Sequence, residues 1–202
     1  MPVHEIILFA ASEAFADDPV DTLKNSREFF SKVDGCYSIH GGVSEEVKNG
    51  LVVISWESYE HHQAIKKLEG FPQILGLAPI FGQGDPTKVY HVNFAESPDA
   101  AIAMNVTEVL TLTLKDGKTK EDLSEPMAVL ASKLTVGDRC AKPLAWGETR
   151  EAPGRVFFLF LGWETSQKLF EAISQRSYED FLCDLSAIVD IRMLRVSFKK
   201  VF

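Results

Sequence analysis

The chain has 202 residues, 46% hydrophobic and 25% charged, with a formal net charge of −8. That is the composition of an ordinary globular protein with one medium core or two small ones. The negative balance argues against nucleic acid or an anionic membrane as partner, because phosphate is held by clustered Lys and Arg.

In chain order, "HEIILFA" (His4–Ala10) reads as a short apolar strand. "DTLKNSREFFSKV" (Asp21–Val33) spaces Leu23, Phe29, Phe30 and Val33 as a helix does, with Asp21 as N-cap. "CYSIHGG" (Cys36–Gly42) is a strand running into a glycine turn, and "LVVISWE" (Leu51–Glu57) a buried strand rich in β-branched residues. "SYEHHQAIKKLEG" (Ser58–Gly70) is a helix capped by Ser58 and stopped by Gly70. "VYHVNFA" (Val89–Ala95) is the closing strand.

The second half repeats that order. "VTEVLTLTL" (Val106–Leu114) is a strand, and "KEDLSEPMAVLASKL" (Lys120–Leu134) a helix with Pro126 near its start. "CAKPLAWGE" (Cys140–Glu148) is an edge-like strand, since Pro143 cannot donate to a ladder. "RVFFLFLGW" (Arg155–Trp163) is a buried strand, "TSQKLFEAISQ" (Thr165–Gln175) a helix continuing in a second piece through Leu185, and "IRMLRVSF" (Ile191–Phe198) closes the unit. The register of the repeat is carried by "SWES" against "GWET" and by "HVNF" against "RVSF". Each half is strand–helix–strand–strand–helix–strand, the ferredoxin-like plan. The expected fold is α+β: two such repeats, 1–97 and 98–202, fused in one chain with their bare sheet faces pressed together as a pseudo-dimeric barrel.

On these residues the chain resembles the dimeric α+β barrel superfamily, above all its antibiotic-biosynthesis-monooxygenase-like and stress-responsive members. The resemblance rests on the apolar third strand ending in "SWES" and "GWET", the amphipathic helix that follows at once, and a module of roughly 100 residues. It implies cofactor-free oxygenation, cyclisation or decarboxylation of an aromatic or polyketide-like molecule, or else a non-catalytic carrier. The match to haem-degrading members stops at Trp56: the first strand has no Asn, and Lys66 stands where a His is required. The Tyr/His pair of the polyketide cyclase is absent from the connection Phe71–Lys88, although Tyr90 and His91 follow it.

All five histidines, His4, His40, His61, His62 and His91, lie in the first half. Histidine is the natural acid–base residue near neutral pH, so the first copy is expected to carry function and the second to complete the scaffold. Strand directions place His40 and His91 at one end, beside the Gly/Pro-rich Phe71–Lys88 connection, and His4, His61 and His62 at the other. Alternation puts His91 and Asn93 on one side of their strand, expected to face the barrel interior. The candidate catalytic residues are His91 and His40. In a 4-1-3-2 strand order they sit about 14 Å apart and share no proton. Trp56, Phe81 and Tyr90 are candidate apolar walls, with Asn93 or Tyr37 to orient a carbonyl. No metal or cofactor is expected: Glu57, His61 and His62 do not form His-Glu-x-x-His, and adjacent histidines on a helix point apart. Cys36, Cys140 and Cys183 are too scattered for a disulfide framework or a Cys-x-x-Cys site. No basic-then-apolar leader opens the chain, and no apolar run reaches the roughly 20 residues of a membrane span. The expectation is a cytoplasmic monomer with an internal pseudo-dimer and a small hydrophobic or aromatic ligand.

Overall fold

The computed structural model describes residues 2–44, 46–135, 140–141 and 143–202. The chain divides into two compact units, Met1–Asn93 with Val196–Phe202, and Phe94–Arg195. The C-terminal tail thus returns to the first module.

The first module holds strands β1 (Val3–Ala10), β2 (Cys36–Val43), β3 (Asn49–Trp56) and β4 (Lys88–Phe94) in the order β4-β1-β3-β2, with β9 (Lys199–Lys200) added beside β2. Every pairing is antiparallel. Between β1 and β2 run three short helices, α1 (Glu13–Asp17), α2 (Pro19–Thr22) and α3 (Lys24–Phe30). The expected single helix capped by Asp21 is corrected here. Ser12 Oγ accepts from the Phe15 amide to start α1, and Asp18 Oδ1 accepts from the Val20 and Asp21 amides to start α2. Pro19 sits just inside that second start, where its missing N–H costs nothing. Helix α4 (Tyr59–Ile65) follows β3 without a loop, because Ser58 accepts from the His61 amide as its N-cap.

The second module repeats the plan after α5 (Asp99–Ile102). Strands β5 (Val106–Leu114), β6 (Ala145–Thr149), β7 (Val156–Trp163) and β8 (Val189–Val196) take the order β8-β5-β7-β6, the same 4-1-3-2 arrangement. Its helices are α6 (Lys120–Thr135), α7 (Ser166–Ile173) and α8 (Arg176–Ser186), with Thr165 capping α7 as Ser58 caps α4. The strand expected from Cys140 is shorter, Ala145–Thr149; Cys140 itself lies outside it in an isolated bridge to Trp163, and Lys142 lies outside the described residues.

Each sheet buries one face under its own helices. In the first module Val3, Ile7, Phe9, Val52, Ile54 and Trp56 pack against Phe15, Leu23, Phe30 and Ile65. In the second, Leu110, Leu112, Leu159, Leu161 and Trp163 pack against Leu123, Met127, Leu169 and Phe181. Strand alternation makes these sets: Val3 stands opposite Trp56 and Val106 opposite Trp163. The α+β fold of two ferredoxin-like repeats in one chain is therefore as expected.

Candidate functional site

The unusual feature of the helix-covered face is a carboxylate inside it. Glu5 is the third residue of β1 and Glu108 the third of β5, and both are buried. An ionised carboxylate taken out of water needs partners, and the repeated tryptophan is one of them. Trp56 Nε1 donates to Glu5 Oε2 at 3.2 Å, and Trp163 Nε1 donates to Glu108 Oε2 at 3.1 Å. The two modules then diverge.

In the first module, His91 on β4 stands directly opposite Glu5 in the ladder and shares its face. His62, on α4 one turn past the Ser58 cap, places Nε2 3.6 Å from Glu5 Oε2. The two imidazoles lie with centroids 4.4 Å apart, the His62 ring meets Trp56 at a tilt with centroids 5.3 Å apart, and the Tyr59 ring meets His91 edge-on at 5.1 Å. Glu5, His62 and His91 are all buried. Burial first, then the charges of His91 and Lys66, press the His62 pKa down to about 3, so its ring is neutral at pH 7.

In the second module Arg195 takes the place of His91 and Leu169 that of His62. Arg195 Nε lies 3.6 Å from Glu108 Oε1, the Tyr178 hydroxyl donates to Glu108 Oε2 at 3.4 Å, and the guanidinium sits 5.7 Å from the Phe170 ring. Desolvation raises the Glu108 pKa, against the lowering pull of Trp163, Arg195 and Tyr178. The same burial, with the Glu108 charge, pushes the Tyr178 phenol up.

The structure unites two of the sequence candidates, Trp56 and His91, through Glu5. It corrects their setting. His91 faces the helix-covered core rather than a polar interior, and it meets His62, which strand direction alone places at the opposite end. The reason is register: β4 begins level with Leu8, so by His91 it has descended to Glu5, close to the start of α4. Asn93 follows two residues on along β4; Tyr90, opposite Ile6, is on the other face. His40 pairs with Val53 and Lys200 on β2, on that other face and three strands from β4. Phe81 is 39% exposed and packs its edge on Phe9, while Tyr37 is 56% exposed. Slight desolvation, then Glu57 and Asp34, raise the Tyr37 phenol.

A separate cavity of about 640 Å³ lies between α3 and α4, lined by Phe29, Val33, Ile65 and Leu68 together with His61 and Lys32. His61 turns away from the core: its Nδ1 is 3.1 Å from Ser58 Oγ, and its Nε2 3.8 Å from Asp34. Gly35, at φ +73°, passes so close that any Cβ there would strike the His61 ring.

The thiols are sorted by burial. Cys183 is exposed and Cys140 buried, and Cys36, partly buried with Glu5 nearby, has a thiol pushed up to about 12. Iodoacetamide at pH 8 is expected to alkylate Cys183 within minutes and to leave Cys36 and Cys140 largely unmodified. Peptide mass spectrometry over a time course checks this; rapid labelling of Cys36 would refute the closed environment described around Glu5.

No family model matches the chain, and no curated protein is significantly similar to it. Solved structures do match. An anthrone oxidase-like protein aligns with 99% of this chain and 93% of its own, at a TM-score of 0.70 and 13% identity. A "putative monooxygenase" from Fusobacterium nucleatum aligns over 98% and 93%, at 0.66 and 11%. Another so described, from Lactobacillus acidophilus, aligns over 100% and 94%, at 0.61 and 12%. The superpositions establish a common fold. The chain shares with these structures a two-module α+β fold over nearly its whole length. Among the described residues no helix is long and apolar enough to cross a membrane.

Proposed function

From a chain with the fold of dimeric α+β barrel monooxygenase-like proteins, we propose a small-molecule enzyme that oxygenates an aromatic or polyketide-like substrate without an organic cofactor, with its reacting groups in the first module. The observation that carries this reading is the buried Glu5–His62–His91 cluster against Trp56, which the second module replaces with Leu169 and Arg195. An imidazole beside a carboxylate in an apolar setting is equipped to take a proton from an activated carbon. His91 is the base, Glu5 stabilises the imidazolium that forms, and Trp56 holds Glu5 in place. Of the remaining candidates, Asn93 lies two residues beyond His91 on β4, and in this reading it orients a carbonyl. His40, on the other face, takes no part.

The chemistry is that of an anthrone. Removal of a proton from the methylene between two aromatic rings gives a carbanion, which passes its electrons to dioxygen. A C–O bond forms, and loss of water leaves the ketone, so one methylene and one O2 become one carbonyl and one water. Two structural neighbours each described as a "putative monooxygenase" and a third described as anthrone oxidase-like support this choice of reaction. The test is oxygen uptake by the chelator-treated protein with dithranol as probe. Stoichiometric uptake with anthraquinone formation above the buffer rate is expected; a rate equal to buffer across several anthrones and phenols would overturn the reading.

The α3–α4 cavity favours a second reading, carriage of an apolar molecule without chemistry. Phe29, Val33, Ala64, Ile65 and Leu68 give it apolar walls, with charged groups such as Glu28, Lys32 and Asp34 among the rest of its lining, and it lies on the His61 side of α4 rather than the His62 side. Native mass spectrometry that finds a stoichiometric ligand and no turnover would select it.

A further inference from the structure

We propose that Glu5, His62 and His91 form a site for one divalent transition-metal ion of the Zn²⁺ kind. The three residues come from β1, α4 and β4, and each offers a ligand atom within 4.8 Å of the other two. Glu5 Oε2 and His62 Nε2 are 3.6 Å apart, near the roughly 3.4 Å that separates two ligands bound tetrahedrally at about 2.1 Å. One carboxylate and two imidazoles suit borderline cations, whereas Ca²⁺ and Mg²⁺ take oxygen donors. All three residues are buried, so an ion there would not have to compete with bulk water for its ligands. The Trp56 Nε1 donor on Glu5 Oε2 supplies the kind of outer hydrogen bond that fixes a ligating carboxylate.

The second module is an internal comparison. Its Glu108 occupies the same strand position under the same tryptophan bond, and a guanidinium, Arg195, stands against it at 3.6 Å. A cation on this buried carboxylate is thus part of the plan in one copy, built covalently into the chain. At the two corresponding positions the first copy presents imidazole nitrogens, ligands for a cation that comes from solution.

This inference needs no turnover and is independent of the oxygenase reading. The two touch at one point: a bound metal takes the imidazole lone pair that His91 would use as a base, so Zn²⁺ is expected to suppress dithranol oxidation. Failure of the stripped protein to oxidise any probe leaves the binding measurement untouched.

The experiment titrates the chelator-stripped full chain with Zn²⁺ by calorimetry and with Co²⁺ by visible absorption. One equivalent is expected, with a Co²⁺ d–d band. His62→Leu, which installs the residue the second module carries there, is expected to weaken binding roughly 100-fold, as is His91→Gln. His61→Ala, on the opposite side of α4, keeps full affinity. Circular dichroism confirms that each variant is folded, and a variant that is not folded yields to the other. No binding by the stripped wild type, undiminished binding by a folded His62→Leu or His91→Gln, or loss of binding in His61→Ala would each overturn the proposal.

Discussion

Replacing Arg195 with methionine destabilises the protein by about 2–3 kcal/mol at pH 8, and by distinctly less at pH 5. Breaking a buried ion pair strands the remaining charge, at a cost of about 3–5 kcal/mol when both partners are fully enclosed. Arg195 is 22% exposed where Glu108 is wholly buried, so solvent screening brings the cost below that range. The pH dependence follows from Glu108. Desolvation already raises its pKa, and Arg195 opposes that rise. Removing Arg195 lifts it further. A carboxyl whose folded pKa lies above its unfolded value binds its proton more tightly when folded, so the folded state gains as pH falls through that window and loses as pH rises through it. Trp163 and Tyr178 still donate to Glu108 in either state of charge. Urea unfolding at the two pH values measures the difference. A variant as stable as wild type at pH 8, or a deficit identical at pH 5, would mean that Arg195 is not the counter-charge of Glu108.

His91→Gln is expected to lower the turnover number for an anthrone by about 10²- to 10⁴-fold, the usual contribution of a placed acid–base group. Glutamine keeps hydrogen-bonding capacity in a similar volume but cannot carry the proton away. The Michaelis constant should move little, because the loss lies in the reaction step. His40→Gln, three strands away on the other face, should leave both constants near wild type. A split in the other direction, with His40 essential and His91 dispensable, would move the chemistry off the helix-covered face and leave Glu5 as a purely structural burial.

How much of this was legible in the residues differs between fold and site. The fused repeat, the Ser58 cap and the two buried third strands could be read from spacing, because each depends on local periodicity or on a single turn of chain; the strand order came with the ferredoxin-like plan, and the Thr165 cap only with the structure. The first helix could not. Asp21 has the right chemistry for an N-cap, yet Asp18 and Ser12 take that work, since the chain must turn twice to lay Phe15, Leu23 and Phe30 on one sheet face. For the site, Trp56 and His91 were visible as residue types, but Glu5 and His62 were not recognised. A signal was present: an acidic residue at the third position of two otherwise apolar strands, Glu5 in "HEIILFA" and Glu108 in "VTEVLTLTL". Read together with the repeated tryptophan, it marks a buried carboxylate in each copy.

What the sequence by itself determined is the plan: two ferredoxin-like modules, each burying one sheet face under its helices, with histidine confined to the first. Periodicity sets which side chains turn inward, and burial enforces it. What only the tertiary structure decided is which inward residues meet. The β1–β4 register brings His91 level with Glu5, and the immediate start of α4 after Trp56 lowers His62 onto the same carboxylate. Those contacts join positions 5, 62 and 91. Register and helix placement depend on the packing of the whole module, so local pattern carries no record of them.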